Sequence, residues 1–404
     1  MSRIALVAGT YAPDRCGVAH YTDRLRQSLH NRGIQTTVLT TVDAEIDSSV
    51  LGVVRGWDVR SLLPLVRSIN RLDADILHIQ HAAGTYGFDR AIFLLPLLLR
   101  LTGWRKPIVT TVHEYGWWEW QPKWISQSVL ESVKQWGQHR EWWDREDGFL
   151  LTQSNAIITT NGDAETVILD RLPNFKHRVR RIAIGANVEV AKIERTIARK
   201  NLLIQSAWPD DAIVIAFFGF LHPVKGLEIL LSAFQQVQKM QPQARLILIG
   251  GVESLALRGQ DAQQYWNKLK CIVCEYNLER EVYMTGYVDA ETASHYLSGS
   301  DIGVLPFHYG VTLKSGSLLA LLSHGLPVIA TQSGDREVSV IKSIPARDRD
   351  ALTTALIQLI NDPTHQRQLS AAGRSFSEAF SWDSIADAHL AVYDSVLSGV
   401  IDHA

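Results

Sequence analysis

The sequence contains no apolar run long enough to cross a membrane. Its longest apolar stretches, residues 212–221 and 91–99, are ten and nine residues long, whereas a bilayer-spanning helix needs about 20. The N-terminus lacks the basic region, apolar segment and cleavage site of a secretion signal, and it runs directly into a strand-like segment. We therefore expect a cytoplasmic protein.

Cysteine is scarce, with three residues (Cys16, Cys271 and Cys274) among 404. Three cysteines are too few for a disulfide framework and are typical of a reducing compartment. Neither sign of charge dominates, because 40 basic residues stand against 42 acidic ones and give a formal net charge of −2. This balance gives no support to a nucleic-acid partner. At about 150 residues per domain, the length indicates two or three domains.

Short β-branched segments alternate with helix-length amphipathic segments, which is typical of parallel sheets covered by helices on both faces. The first half predicts strands at 3–9, 35–41, 74–80, 107–113 and 156–160, and helices at 18–32, 61–72, 88–102 and 163–172. After a polar linker that ends near residue 209, the pattern predicts strands at 212–220, 244–250, 281–286 and 301–306, and helices at 226–240, 263–275, 290–298 and 318–322. The predicted class is α/β, with two doubly wound Rossmann-like domains, residues 1–200 and 201–380, facing a cleft. Ligands of such sheets bind outside the carboxyl ends of the strands.

The loop after the first strand has one glycine, Gly17, and opens a helix. Backbone N–H groups at a helix start suit a phosphate or another anion. The loop lacks the G-x-G-x-x-G spacing of dinucleotide-binding dehydrogenases. An ordinary strand-to-helix turn is an equally open interpretation.

Two loops of the second half have the composition of anion sites. Lys225 directly precedes a predicted helix, where the helix dipole disfavours a cation unless an anion lies between them. A solvated surface lysine is the alternative. Further on, Lys314, Ser315, Gly316 and Ser317 lead into an apolar helix and form a second candidate anion cradle. Ser315 or Ser317 could equally be a simple N-cap.

Histidine and cysteine pairs in the sequence do not indicate a metal site. His78 and His81 lie three apart on a predicted strand and therefore point to opposite faces, so we expect no metal there. Gln80 and His81 are instead expected to line the cleft. Cys271 and Cys274 lie in a helical pattern and are expected to be partly buried core residues.

Tryptophan is concentrated in one segment of forty residues, which holds eight of the twelve in the chain: Trp104, Trp117, Trp118, Trp120, Trp124, Trp136, Trp142 and Trp143. Tryptophan suits sugar stacking, protein interfaces and membrane interfaces alike. A bulky core for a helical insertion is the alternative. Trp117 and Trp118 are our candidates for stacking on a sugar or similar substrate, and the later tryptophans are candidates for contact with a lipid headgroup region. A nearby basic group could assist docking to anionic lipid or could be an ordinary solvated face: Lys176, Arg178, Arg180 and Arg181.

Several motifs resemble one enzyme family. Residues 218–226 resemble the Gly-Arg-Leu-x-x-x-Lys-Gly motif of the retaining glycosyltransferases of family four, which have the GT-B fold. Residues 286–289 and 301–306 are similar to its G-[FY]-V and AD-V-x-V-L-P-S runs. Residues 325–331 match its G-x-P-V-I-A-T, and residues 380–383 resemble the F-S-W that opens its last helix. The motifs follow the order of the family and cover nearly the whole chain.

The resemblance implies transfer of a sugar from a nucleotide diphosphate sugar, with retention of configuration and without a metal or other cofactor. It implies an acceptor domain at residues 1–200, a donor domain at 201–380, and a last segment, 381–404, that packs back on the first domain. Lys225 would act on the donor diphosphate, with Gly219 in the same motif. His113 and Glu114 resemble the family's pair near the reacting sugar. The acceptor would be a glycan, a lipid-linked molecule or a small molecule, and a lipid acceptor implies contact with the inner face of the cytoplasmic membrane.

Three positions depart from the family pattern. The arginine of the Gly-Arg-Leu motif is Phe220 here, and the paired glutamates of the family fall on Thr312 and Ala320. Because the later glutamate binds the ribose hydroxyls in the family, donor recognition must differ, and Thr312, Lys314, Ser315 and Ser317 are the candidates. A donor other than an ordinary nucleotide sugar is the alternative. The alternative function is a GT-B-like binding or partner subunit without catalysis, at a membrane or glycan surface.

Overall fold

The computed structural model describes residues 2–13, 16–44, 47–122, 125–254, 257–332 and 338–399, so that Trp124 lies outside the described residues. The chain divides into two compact units. Unit 1 comprises Met1–Ile184 and Trp382–Ala404, and unit 2 comprises Gly185–Ser381.

Unit 1 contains a sheet of seven parallel strands. The strands are β1 (Arg3–Ala8), β2 (Gln35–Thr41), β3 (Val50–Val54), β4 (Ile76–His81), β5 (Ile108–Val112), β6 (Ala156–Thr159) and β7 (Val179–Arg181). Their spatial order is β3-β2-β1-β4-β5-β6-β7. The helices are α1 (Gly17–Asn31), α2 (Val59–Arg71), α3 (Leu95–Leu101), α4 (Gln127–His139) and α5 (Gly162–Arg171), with 3-10 turns at Ala83–Tyr86, Ala91–Leu94 and Pro173–His177.

Unit 2 contains a second parallel sheet, of six strands. The strands are β8 (Ile213–Phe218), β9 (Ala244–Ile249), β10 (Val282–Gly286), β11 (Ile302–Leu305), β12 (Val328–Thr331) and β13 (Lys342–Ile344), in the order β10-β9-β8-β11-β12-β13. The helices are α6 (Arg195–Ser206), α7 (Leu227–Met240), α8 (Gly259–Glu275), α9 (Ala290–Gly299), α10 (Gly316–Ser323), α11 (Arg349–Asn361) and α12 (Pro363–Glu378), with a 3-10 turn at Pro223–Lys225. The last helix, α13 (Trp382–Leu397), belongs to unit 1.

The boundary between the units lies earlier than the residue 200 expected from sequence, because the supposed linker contains helix α6. This helix packs on α9, where the backbone of Gly299 closely approaches the carbonyl of Ala198. Asp301 accepts hydrogen bonds from Arg195 and Arg199 at 3.0 and 2.8 Å. These contacts make residues 195–206 part of unit 2.

Two other expectations from sequence need correction. The helix expected over 88–102 is a 3-10 turn followed by the short α3, because Phe88 has a left-handed φ of 59° and Pro96 is tolerated only in a first helical turn. Cys271 and Cys274 are exposed rather than partly buried, since the buried face of α8 carries Ala262, Tyr265, Leu269 and Val273.

Helix α13 completes the core of unit 1. Trp382 and Tyr393 are 5% and 1% exposed and pack in one apolar cluster with residues of β1, β4 and α1. At the end of α1, Arg32 pairs with Asp383 at 3.0 Å and with Asp387 at 2.6 Å. None of the described helices is both long and apolar enough to span a bilayer.

Candidate functional site

The loops after β8 and β11 lie at the switch point of the second sheet, where the strand order reverses and where ligands of such sheets bind. Gly219 has a φ of 136°, and a Cβ there would lie 2.6 Å from the Ser317 hydroxyl oxygen. Gly226 has a φ of 70°, and a Cβ there would overlap the carbonyl oxygen of Pro306. The two glycines therefore let the loops pack directly against each other.

Lys225 lies between these loops. Its Nζ is 3.6 Å from the centroid of the Phe307 ring, in the loop after β11. Burial lowers the pKa of Lys225 to about 8, and the Lys225 charge helps to lower the pKa of His222, although burial of His222 is the larger cause. A partly buried ammonium held on an aromatic face can bind a phosphate group strongly. Phe307 was not among the site residues expected from sequence, although its position directly after a predicted strand is one where ligand-binding residues occur.

The loop that opens α10 is held by its own hydroxyl groups. The Ser315 hydroxyl oxygen accepts from the Thr312 N–H at 3.2 Å, and the Thr312 hydroxyl oxygen accepts from the Lys314 N–H at 3.2 Å. Ser315 occupies the N-cap position but makes no side-chain cap, so the simple N-cap alternative is not found for it. The N–H groups of Gly316 and Ser317 belong to the first turn of α10, where N–H groups have no acceptor within the helix and can bind an anion.

The environment of this helix start differs from residue to residue. Gly316 is buried, and a Cβ there would overlap the side-chain amide of Asn187. Lys314 is exposed, whereas Thr312 and Ser315 are partly buried. Ala320, on the same helix, is 0% exposed. The position that holds the ribose-binding glutamate in the family motif therefore faces the interior of unit 2.

His113 follows β5 at the carboxyl edge of the first sheet. Its N–H donates to the carbonyl oxygen of His81 at 2.9 Å, which extends the strand pairing. Its Nε2 lies 3.0 Å from Gln80 Oε1, and the Tyr21 ring meets its ring edge-on at 4.8 Å. Burial, with smaller contributions from His81 and His389, lowers the pKa of His113 to about 3. His113 is therefore neutral at physiological pH and acts as a hydrogen-bonding group.

Gln80 and His81 do not line an open site within unit 1, contrary to the expectation from sequence. They are 0% and 2% exposed. Gln80 bonds to His113 and His78, and the His81 ring packs against Tyr86 and Phe93. All residues of β4 are buried, because in a central parallel strand both faces are covered. Both side chains can act on a ligand only through their neighbours.

The segment after His113 exposes one aromatic ring, Trp117, and partly buries the next, Trp118. Trp117 is 56% exposed and meets Phe88 edge-on at 6.3 Å. The guanidinium carbon of Arg90 lies 3.9 Å from the Trp118 ring centroid, and Arg90 also donates to the Trp118 carbonyl oxygen at 2.8 Å. Glu114 is exposed. Trp117 and Glu114 are thus accessible, whereas Trp118 is fixed by Arg90, a residue that sequence analysis missed.

Gly17 opens α1, just beyond the carboxyl end of the interior strand β1. It is exposed, and a Cβ there would meet no atom of the described residues within 4 Å. The preceding residue, Cys16, caps the helix, since its Sγ accepts from the Ala19 N–H at 3.2 Å. Glycine is therefore not required there by packing, and the small residue leaves the first turn accessible.

Three of the other tryptophans form a cluster on α4 and the chain that follows it. Trp136, Trp142 and Trp143 have ring centroids 5.0 to 6.5 Å apart. Trp136 and Trp142 are 45% and 52% exposed, and Arg140 lies over the Trp136 ring at 4.7 Å. Trp104, by contrast, is buried. Among the described residues there is no group of three or more histidine, cysteine, aspartate or glutamate side chains that could hold a metal ion.

Comparison with known families matches both halves of the chain. The family described as Glycosyltransferase Family 4 matches residues 16–190, and that described as Glycosyl transferases group 1 matches residues 198–376. A GDP-mannose-dependent monoacylated alpha-(1-6)-phosphatidylinositol monomannoside mannosyltransferase of Corynebacterium glutamicum is 25% identical over 52% of this chain. The match spans 54% of the length of that relative.

Solved structures share the whole fold. The sucrose-phosphate synthase of Thermosynechococcus elongatus has a TM-score of 0.68 at 20% identity, covering 99% of this chain and 100% of its own. HepE of Anabaena, in complex with UDP and glucose, has a TM-score of 0.67 at 14% identity, covering 98% and 100%. These likenesses show the GT-B fold. Because the two family models together match most of the chain, the chain belongs to the family 4 glycosyltransferases.

Proposed function

We propose that this chain transfers a hexosyl group from a nucleotide diphosphate sugar to an acceptor, with retention of configuration and without a metal ion or other cofactor. The observation that carries the proposal is Lys225, packed on Phe307 beside the loop that opens α10. A diphosphate gains negative charge as the sugar departs. A fixed ammonium group and oriented N–H groups stabilise that charge without having to reorganise.

Each candidate donor residue has a distinct role in this proposal. Lys225 and the N–H groups of Gly316 and Ser317 bind the diphosphate. Gly219 has no side chain to fill the space beside Ser317, so the diphosphate can approach those N–H groups. The rest of the nucleotide is bound by polar groups of the loop that opens α10, namely Thr312, Lys314 and Ser315. They take the place of the family glutamate, since Ala320 is buried and has no polar side chain. The exposed first turn of α1 at Gly17 is a further anion-binding element.

The reaction needs no carboxylate nucleophile. The bond between the anomeric carbon and the diphosphate oxygen breaks, and the acceptor oxygen bonds to the same face of that carbon. The acceptor hydroxyl proton passes to the departing phosphate oxygen. His113, which is neutral, hydrogen-bonds the reacting sugar and fixes its orientation, a contribution that is made by positioning rather than by proton transfer.

The acceptor is proposed to be a glycan, a lipid-linked molecule or a small molecule that contacts Glu114 and Trp117. An exposed indole ring suits the apolar face of a sugar or a polyol ring. The Corynebacterium relative, by its name, acts on a phosphatidylinositol monomannoside, which supports a lipid-linked acceptor. The whole activity of that relative stays a proposal for this chain, because only about half of its length is matched.

Contact with the inner face of the cytoplasmic membrane is also proposed, through the exposed face of α4. Val129, Val133 and Trp136 are 54%, 42% and 45% exposed on this helix. Lys176 and Arg180 are exposed as well. The 3-10 turn at Pro173–His177, which contains Lys176, is joined to Glu141, two residues beyond α4, by a 2.7 Å hydrogen bond that Asn174 donates. Apolar and basic groups of this kind together favour an anionic membrane surface.

The test compares two lysine variants. Lys225→Ala is expected to reduce transfer by about 100-fold or more, because it removes the charge that stabilises the leaving group. Lys268→Ala is the matched control, since Lys268 lies in unit 2 and pairs with Glu228 on the exposed surface at 3.0 Å. Donor sugars with uridine, guanosine and adenosine diphosphates are screened by mass spectrometry to identify the donor. Equal turnover by both variants would remove Lys225 from the mechanism. Nucleotide binding without transfer to any acceptor would favour the non-catalytic alternative.

A further inference from the structure

Four side chains form a continuous hydrogen-bonded chain in the core of unit 1. Tyr393, on α13, has its hydroxyl oxygen 2.7 Å from His78 Nδ1. His78 Nε2 lies 3.2 Å from Gln80 Nε2, and Gln80 Oε1 lies 3.0 Å from His113 Nε2. The chain therefore connects the last helix to the histidine at the end of β5 through two residues of β4.

The Gln80 amide gives this chain a direction. Its oxygen faces His113 and can only accept, so His113 Nε2 carries a proton and donates it. Its nitrogen faces His78 and can only donate, so His78 Nε2 carries a lone pair. His78 then holds its proton on Nδ1 and donates to the Tyr393 hydroxyl. The Thr111 hydroxyl, 2.7 Å from His78 Nε2, donates to the same lone pair. Each histidine is thus assigned one neutral tautomer.

Burial makes these tautomers depend on one another. His78 and Gln80 are 0% exposed and Tyr393 is 1% exposed, so water does not replace a lost partner. Turning the Gln80 amide over would require both histidines to change tautomer together and Tyr393 to become the donor. A neighbouring pair, in which the Tyr21 hydroxyl donates to His389 Nε2 at 3.2 Å, lies in the same core but outside the chain, because His389 Nδ1 donates to the Ile385 carbonyl oxygen at 2.8 Å.

We propose that His78 and Tyr393 are positioning residues for His113, which they hold through Gln80 in the tautomer with the proton on Nε2. In that tautomer Nδ1 of His113 carries the lone pair, so it accepts a hydrogen bond from a substrate hydroxyl and cannot donate one. The hydrogen bond from a substrate hydroxyl to this Nδ1 rests on the proposed function. The tautomer of His113 does not depend on that function.

The experiment is nitrogen NMR of the full-length protein with labelled histidine, in which the ¹⁵N shifts of each ring report which nitrogen is protonated. The wild-type protein is expected to show His113 with its proton on Nε2. Tyr393→Phe removes only the hydroxyl at the end of the chain. It is expected to weaken the tautomer preference of His113 by about 2- to 13-fold, the range that one net hydrogen bond of about 0.5 to 1.5 kcal/mol provides. Tyr21→Phe, which removes a buried tyrosine hydroxyl outside the chain but keeps the ring that contacts His113, is expected to leave the tautomer preference of His113 unchanged.

Kinetics supply an independent readout. Tyr393→Phe is expected to lower kcat by the same factor by which NMR shows the population of Nε2-protonated His113 to fall, while changing the KM for the nucleotide sugar by less than about twofold, because the donor diphosphate is bound elsewhere. A proton on Nδ1 of His113 in the wild-type protein would overturn the proposal without any variant. Unchanged His113 shifts in Tyr393→Phe would overturn it as well. If the shifts change as expected but His113→Ala transfers sugar normally, the positioning chain stands and the proposed role of His113 fails.

Discussion

Acid should destabilise unit 1, because several of its histidines are buried in the neutral form. Burial lowers the pKa of His81 and of His389 to about 4 and that of His113 to about 3, from an ordinary value of 6.5. The pKa of each group is lower in the folded protein than in the unfolded chain. The unfolded chain therefore binds protons first as the pH falls below 6.5, and stability is lost between there and about pH 4.

The magnitude follows from the size of these shifts. One pKa unit corresponds to about 1.4 kcal/mol, so at pH 5 each such histidine lowers the free energy of unfolding by about 2 kcal/mol relative to pH 7. Three of them would remove about 6 kcal/mol, which is comparable to the whole stability of an ordinary domain. Asp147 opposes this trend, because burial raises the pKa of its carboxyl well above the ordinary value. A single-residue comparison therefore isolates the effect.

His81→Phe is the variant for that comparison. His81 Nδ1 is buried without a hydrogen-bond partner among the described residues, and its ring packs against Tyr86 and Phe93. Phenylalanine preserves this packing and cannot be protonated. Urea unfolding measures the free energy of unfolding at pH 7 and at pH 5. Between these two pH values, the free energy of unfolding should fall by about 2 kcal/mol less in the variant than in the wild-type protein. Equal losses in the two proteins would refute the reasoning, as would amide exchange in unit 2 that accelerates before exchange in β4 and β5.

Three further predictions follow from the site. Gly226→Ala should lower the free energy of unfolding by about 2 kcal/mol or more in urea titration, because its φ is 70° and a Cβ would overlap the Pro306 carbonyl oxygen; unchanged stability would contradict the packing of the two loops. His113→Ala should lower kcat by about 10-fold or more and leave nucleotide affinity within about twofold by calorimetry, so equal losses of both would contradict a role at the sugar. Trp136→Ser should weaken flotation with anionic vesicles while leaving transfer to a water-soluble acceptor unchanged, and equal binding to zwitterionic vesicles would argue against a charged membrane surface.

The sequence predicted the parts of the fold in which patterning is strong. The central strands β1, β4, β8 and β9 are largely buried on both faces and rich in apolar residues, although β4 also carries two histidines and a glutamine, and their positions were predicted closely. Four strands were missed: the edge strands β3, β7 and β13, and β12, a four-residue strand that lies between β11 and β13. β3 contains Gly52 and β7 has only three residues, two of them exposed arginines. An edge strand pairs on one side only, and its sequence is correspondingly less constrained.

The candidate site was predictable in its residue types but not in its contacts. The position of Lys225 before a helix indicated an anion site, and the structure adds the Phe307 ring beneath it. Gln80 is buried because β4 is a central strand. The family resemblance placed α13 on the first domain, but the hydrogen bond between His78 and Tyr393 depends on the residues that this helix covers and could not be predicted. A helix that returns to the first unit from the far end of the chain leaves no local pattern at the residues that it covers.

The most direct test of the central claim is calorimetric binding of nucleoside diphosphates to the wild-type protein, Lys225→Ala and Lys268→Ala. A hydrogen bond to a charged group contributes about 1.5 to 3 kcal/mol, so Lys225→Ala should weaken binding of the preferred diphosphate by about 10- to 150-fold. Lys268→Ala should bind it as the wild-type protein does. Equal affinity of all three proteins for that diphosphate would contradict the assignment of Lys225 to the donor site.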